Sequence, residues 1–216
     1  MANKSYQQYC GIAAALDQVG DRWTLLVLRE LSFGEQRFTD LRAHLPGIAS
    51  NLLTDRLRDL EKAGLIEQRE LPAPAARTVY ALTGAGKRIR PVLRALAEFG
   101  LPFLDEPVDG EVRPRMAVFG SLGALFSPAA AVGLDLRVRF DLDGEQHWLE
   151  VRDGRLVRAA VDQAPDLVVS GSAAALIELC RGADPIDLVP RLEIAGPRRA
   201  REAFARCFPA YEPVPA

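Results

Sequence analysis

The chain has 216 residues, 23.6 kDa, and a formal net charge of −2 at pH 7. Its 49% hydrophobic and 26% charged content is ordinary for a soluble globular protein and suits two domains of about 100 residues each. No apolar run approaches the ~20 residues of a membrane span, and the opening MANKSYQQYC lacks the apolar core of a signal peptide, so no membrane partner is expected.

Three cysteines, Cys10, Cys180 and Cys207, are an odd count without metal-ligand spacing. Together with the absent signal peptide they point to a reducing, cytoplasmic compartment. Charge is unevenly divided. Residues 1–90 carry 13 Lys+Arg against 10 Asp+Glu, and residues 91–216 carry 14 against 19. The net charge of −2 by itself argues against a nucleic-acid binder, and the asymmetry is modest; any such binding would rest on local patches, not on the overall field. There is no GxGxxG after a strand, no P-loop, no HExxH and no CxxC. Only His44 and His147 are available, so no Ser/His/Asp set assembles. The expectation is a non-enzyme with no cofactor and no metal.

In chain order, Cys10 to Val19 reads as a short alanine-rich helix. Asp21 is positioned to cap a second helix, Arg22 to Leu31, with Trp23, Leu26, Val27 and Leu31 inward. Arg37 to Leu45 reads as a third, closed by Pro46-Gly47. Ser50 to Ile66 follows, a helix ending at Gly64 that runs into a strand. At 100° per residue Leu53, Leu57 and Leu60 fall on one side and must be buried. Asn51, Thr54, Asp55 and Arg58 fall on the other, short and polar enough for base edges and phosphates. A solvated helix face would show the same wheel. Helix, tight turn, helix is helix-turn-helix geometry.

Beyond Gly64, Leu65 to Leu71 and Arg77 to Leu82 have strand character, with Pro72 to Ala76 as a hairpin tip. Arg69 and Arg77 flank the tip, placed for phosphate or a minor groove. Thr83 caps a last helix, Gly84 to about Phe103, striped with Ile89, Val92, Leu93, Leu96 and Phe99. Pro91 within it predicts a kink or a lost hydrogen bond.

A helix-turn-helix followed by a two-stranded wing is a winged helix, and here the pattern becomes specific. Cys10, LDQVGDRWTLLVLREL (16–31), RFTDLRAHLPGIA (37–49), LTDRLRDLEKAGLI (53–66) and VYALTGAGKRI (79–89) together resemble the HxlR family of bacterial transcriptional regulators. The resemblance implies double-stranded DNA as partner and a homodimer built through the first and last helices of residues 1–105. It also implies a recognition helix at about Ser50–Lys62 and a wing at 67–80. Thr39, Ser50, Asn51, Thr54, Asp55, Arg58, Arg69 and Arg77 are the candidate DNA contacts. Asp55 has two readings: accepting from a cytosine amino group, or pairing with Arg58 across one turn. Ala49 and Ser50 stand where the family more usually has Ser-Pro, which bears on which bases are read. Cys10 matches the position of a cysteine that some HxlR-type regulators use to sense oxidants or electrophiles; an inert helix-start thiol is the other reading.

Glu106 to Gly110 reads as a linker, after which the period becomes that of a strand. Leu134, Leu136, Val138, Phe140 and Leu142 alternate with Asp135, Arg137, Arg139 and Asp141. Asp143-Gly144 and Asp153-Gly154 turn the chain, and strands follow at 146–152, 155–161 and 166–170, an expected four-stranded antiparallel meander. Asp162 is a further turn residue. Met116 to Phe126 is expected to be helical. Ala173 to Arg181 is expected as a helix capped by Ser172, and Pro197 to Phe208 as a last helix with Pro in its first turn, after a short strand at 192–194.

The run PDLVVSGSAAALIELCRGADPIDLVPRLEIAGPRRAREAFARCF (165–208) resembles the sterol-carrier-protein-like fold. The resemblance implies an α/β domain over 112–216 enclosing an apolar tunnel, so the fold class is α+β. Phe140, Leu176, Leu179, Ile186, Leu188 and Phe204 are the candidate lining residues, and a packed core uses the same residue types. His147 and Trp148 are either polar handles for a ligand or satisfied strand residues. Two functions follow: a DNA-binding regulator sensing a small apolar ligand, or a carrier of small hydrophobes that uses the winged helix only to dimerise.

Overall fold

The computed structural model describes residues 5–71, 77–158 and 163–210. The expected hairpin tip at 72–76, the end of the 155–161 strand and Asp162 lie outside the described residues. The chain divides into two compact units after Leu93.

The first unit begins with α1 (Gly11–Val19), α2 (Thr24–Ser32), α3 (Phe38–His44) and α4 (Ser50–Lys62). Val27, Leu28, Leu31, Leu41, Leu45, Ile48, Leu53, Leu57 and Leu60 form their common core. α2 departs from expectation. Trp23 takes a left-handed backbone (φ 78°), so the helix starts two residues later than Asp21 and Arg22 suggest. Its buried stripe becomes Thr24, Val27, Leu28 and Leu31, at spacings of three, one and three, while Leu26 is 39% exposed. The cap residue of α2 is Trp23 and not Asp21, whose carboxylate accepts from Arg56.

α4 ends as its sequence demands. Gly64 is left-handed (φ 68°), its N–H donates to Glu61 O at 2.9 Å, and the Leu65 N–H reaches back to Leu60 O at 3.0 Å. That pair of bonds is a Schellman ending, which satisfies carbonyls the helix leaves open. The chain then enters β1 (Ile66–Leu71), which pairs antiparallel with β2 (Arg77–Leu82) from Ile66↔Leu82 to Leu71↔Arg77.

Thr83 caps the next segment: its Oγ1 accepts from the Gly86 N–H at 3.0 Å and donates to Gly64 O at 2.6 Å. The single helix expected from Gly84 to Phe103 is instead a 3₁₀ turn (Gly86–Ile89), α5 (Arg90–Gly100) and a second 3₁₀ turn (Leu101–Phe103). The first break places Pro91 in the first turn of α5, where its missing N–H leaves no bond unmade.

The second unit is a sheet of β3 (Asp135–Leu142), β4 (Glu145–Arg152), β5 (Arg155–Arg158), β6 (Leu167–Gly171) and β7 (Leu192–Ala195), in the order β5-β4-β3-β6-β7. α6 (Ala173–Cys180) and α7 (Arg198–Cys207) complete it, and a π-helical run at Met116–Leu122 precedes the sheet. The meander holds for three strands, not four. β4 is flanked on both sides by β3 and β5, so β6 takes the free edge of β3 and runs parallel to it. Asp166 sets that register: its N–H donates to Arg137 O and its carboxylate accepts the Arg137 N–H, both at 2.8 Å.

β3 alternates as read, with Leu136, Val138, Phe140 and Leu142 buried. β4 is buried on both faces, Leu149 and Val151 on one and Trp148 and Glu150 on the other. Arg137 and Arg152 donate to Glu150 at 3.1 and 2.7 Å, and Arg139 stacks over Trp148 at 6.0 Å. These pairings hold the Glu150 carboxyl below the usual range, the Arg152 bond being the largest cause. Ser172 caps α6 as read, accepting from Ala175 N–H. Pro197 sits at the cap of α7 and not inside its first turn.

The expected linker is tied down. Asp109 accepts two bonds from Arg191 at 3.2 Å and one from Ser172, and Arg181 donates to Asp105 O at 3.2 Å. Residues 105–109 therefore belong to the second unit, which begins before the boundary at 105–112 that composition suggests.

Candidate nucleic-acid interface

α4 separates its two faces cleanly. Leu53, Leu57 and Leu60 are buried, which turns Asn51, Thr54, Asp55 and Arg58 outward, and all four are exposed. Ser50, the first residue of the helix, is exposed beside Asn51. Thr54 donates its hydroxyl to Ser50 O at 2.9 Å, which fixes its rotamer. Arg58 Nη1 donates to Asp55 Oδ1 at 3.2 Å. In the free protein Asp55 therefore pairs with Arg58 and holds the guanidinium over the outer face. Both side chains are about half exposed (54% and 53%), so the pair contributes little to stability.

The other candidates are more dispersed. Thr39 is exposed on α3, whose start is closed by a bond from the Arg37 N–H to the Asp40 carboxylate at 3.3 Å. Arg77 is exposed at the start of β2. Arg69 on β1 is not a free cation: Glu67 accepts from it at 2.8 Å, and Glu35 lies 4.0 Å away. Contact with a phosphate there exchanges one anion for another.

Two groups that position α4 and the wing escape a reading by helical wheels. Arg56 lies on the inner shoulder of α4, pairs with Asp21 ahead of α2 and reaches Asp59 at 3.6 Å. Its Nε is buried with no hydrogen-bond partner among the described residues. Gln36, also buried, joins three elements. Its backbone exchanges bonds with Tyr80 of β2 at 3.0 and 2.8 Å, its amide donates to Glu30 O of α2 at 2.6 Å, and its Oε1 lies 2.8 Å from His44 Nδ1 of α3. The signal for Gln36 was a polar residue in a turn, which wheel arithmetic does not weigh.

Cys10 is exposed at the residue before α1. The Ala13 and Ile12 backbone N–H groups hold its thiol below the ordinary range. Burial pushes Cys180 up to about 12 and also raises Cys207.

In the second unit Phe140, Leu176, Leu188 and Phe204 are buried and Leu179 is half-buried, but Ile186 is 76% exposed and is removed from any interior lining. Asp184 and Pro185 put it on a turn, where its flanks supply no cover. Phe140, Phe204, Phe208 and Phe126 stack in sequence at ring separations of 6.4, 4.9 and 5.5 Å. His147 lies 3.1 Å from Glu145 and edge-on to Phe119, and Trp148 donates to Gln146 at 3.0 Å, so both are satisfied within the fold.

A three-helix core, a polar-faced helix after a tight turn, and a two-stranded wing define a winged helix-turn-helix protein. A family model for the HxlR-like helix-turn-helix matches residues 18–107. An uncharacterised HTH-type transcriptional regulator of Methanothermobacter thermautotrophicus is 38% identical over 91 residues, 42% of this chain and 70% of that one. A second, from Synechocystis, is 39% identical over 97 residues, 45% of this chain and 72% of that one. A solved structure described as a MarR-family transcriptional regulator, from Porphyromonas gingivalis W83, is 29% identical and covers 47% of this chain and 99% of its own, with a TM-score of 0.42. The chain belongs to the HTH-type transcriptional regulators, and its N-terminal domain is of the HxlR type. Among the described residues no helix is long and apolar enough to cross a membrane.

Proposed function

We propose that the protein is a homodimeric, sequence-specific DNA-binding regulator in which α4 enters the major groove. The observation that carries the reading is the polar face of α4: Ser50, Asn51, Thr54, Asp55 and Arg58 outward, with the opposite face locked into the core. Arg77 and Thr39 contact phosphate beside it, and Arg69 does so by leaving Glu67.

Dimerisation through α1 and α5 is supported by the apolar side chains these helices leave uncovered. Tyr9, Ile12 and Leu16 at α1, and Val92, Leu96 and Phe99 on α5, are each more than 40% exposed. Uncovered apolar side chains of this kind mark interaction surfaces. The second unit, read as a sterol-carrier-like domain, is the effector-binding part. A coupling of about 1–3 kcal/mol between an apolar ligand there and DNA is enough to regulate.

The test is selection of duplexes from a randomised pool by the full-length protein, with its mass measured by sedimentation. Enrichment of two inverted half-sites centred about 10 bp or a multiple apart, by a species of twice the chain mass, is expected. A pool that shows no enrichment after repeated rounds sinks the reading and favours the carrier.

Cys10 is the residue through which oxidants or electrophiles act. With its thiol lowered and exposed while Cys180 and Cys207 are raised and buried, iodoacetamide at neutral pH will label Cys10 first. Peptide mass mapping over time reads this out; equal labelling of the three thiols in the folded protein excludes the assignment.

A further inference from the structure

The second unit carries a charge pattern that its own folding does not explain. α7 buries Ala203, Phe204 and Cys207. Those residues fix the inner arc, and Arg198, Arg199, Arg201, Glu202 and Arg206 all lie on the exposed one. Glu202 accepts from Arg198 at 2.8 Å. No ion pair with an acid among the described residues is made by Arg199, Arg201 or Arg206.

At the N-terminal end of α7 this placement runs against local stability, whereas Arg206 in the last turn suits the helix dipole. The first turn of a helix favours acids, yet α7 has none there and has two arginines at its first two positions. Arg198 and Arg201 are also like charges three apart on one face. A merely solvated face would be at least as stable with acids at these positions. It is also out of keeping with its surroundings. Residues 198–206 hold four arginines and one glutamate, whereas the rest of 94–216 holds ten arginines and 18 acids.

We propose that the outer face of α7 is a second DNA-contacting surface, which meets phosphates through Arg199, Arg201 and Arg206; this rests on reading the protein as a DNA binder. The partner is set by charge complementarity. A guanidinium fork suits phosphate oxygens, and residues 199–206 span about 10 Å of helix axis, enough for successive phosphates along a groove edge. Once α4 holds the duplex, the linked second unit meets the same polyanion at high effective concentration. The contact carries affinity and no base readout.

The test uses the full-length protein and a mixed-sequence duplex of about 40 bp, roughly four helical turns, titrated across a salt series by fluorescence anisotropy. The variants are R199A/R201A/R206A, the charge-keeping R199K/R201K/R206K, and Arg58→Ala. Each phosphate contact contributes about 0.9 to the slope of log K against log salt, so the triple alanine variant of a dimer is expected to flatten it by about 2–5. The triple lysine variant is expected to retain the wild-type slope. A triple alanine variant with the wild-type slope overturns this proposal and leaves α4 as the reader. Absence of wild-type binding to any duplex at low salt overturns the DNA reading itself, and the proposal with it.

Discussion

Replacing Arg58 by alanine will reduce the preference for a selected duplex over random DNA by about 1–3 kcal/mol while lowering stability by at most about 1 kcal/mol. The two halves of that expectation have separate causes. Arg58 is half exposed and its hydrogen bond is to Asp55, itself half exposed, so the folded state loses at most a surface pair worth about 0–1 kcal/mol. The readout term is larger because a guanidinium that reaches a base edge is desolvated there and makes paired bonds. The mismatch effect should also be local. In a second selection Arg58→Ala should relax one position in each half-site and keep the rest. Binding assays on single-base variants of the duplex decide this. A uniform loss across all sequences would mean that Arg58 touches phosphate instead.

α4 and the wing were legible in the sequence because several local signals agree on them. Leu53, Leu57 and Leu60 set the buried face, Gly64 sets the end, and the strand pattern on either side of 72–76 sets β1 and β2. Ser172 as a cap was legible for the same reason. What was not legible depends on contacts between distant residues. Nothing local says that Trp23 will be left-handed and that α2 will start only at Thr24; within that helix Val27, Leu28 and Leu31 share the buried face and Leu26 lies opposite. Nothing local tells β6 to take the free edge of β3, because an apolar run such as Leu167 to Val169 reads alike in a parallel or an antiparallel pair. Trp148 and Glu150 look outward by alternation and are buried because arginines on β3 and β4 cover them. Within the candidate interface, the outward residues of α4 were readable and their supports, Arg56 and Gln36, were not. Both supports are polar groups whose partners lie on other elements.

Gly86→Ala is expected to destabilise the first unit by about 3 kcal/mol or more, at the upper end of what overpacking does. A Cβ at this position would lie 1.9 Å from the Leu65 carbonyl oxygen and 2.9 Å from its carbon. The obstacle is backbone, so no rotamer change relieves it. It is also backbone already committed, since Leu65 accepts from the Thr83 N–H at 3.1 Å, and Thr83 in turn bonds Gly64 O and the Gly86 N–H. These bonds join the end of α4, the base of the wing and the start of the segment leading into α5. Relief of the clash must move one of the three, so DNA binding should fall together with stability, unlike the Arg58 case. Gly84→Ala is the control: two residues away, its added Cβ meets nothing within 4 Å, and a surface change of that kind should stay within about 0.5 kcal/mol. Urea unfolding of the two variants side by side reads the difference. Equal midpoints would mean that Leu65 can withdraw from Gly86 at little cost, and that the wing is not held to α4 by this junction.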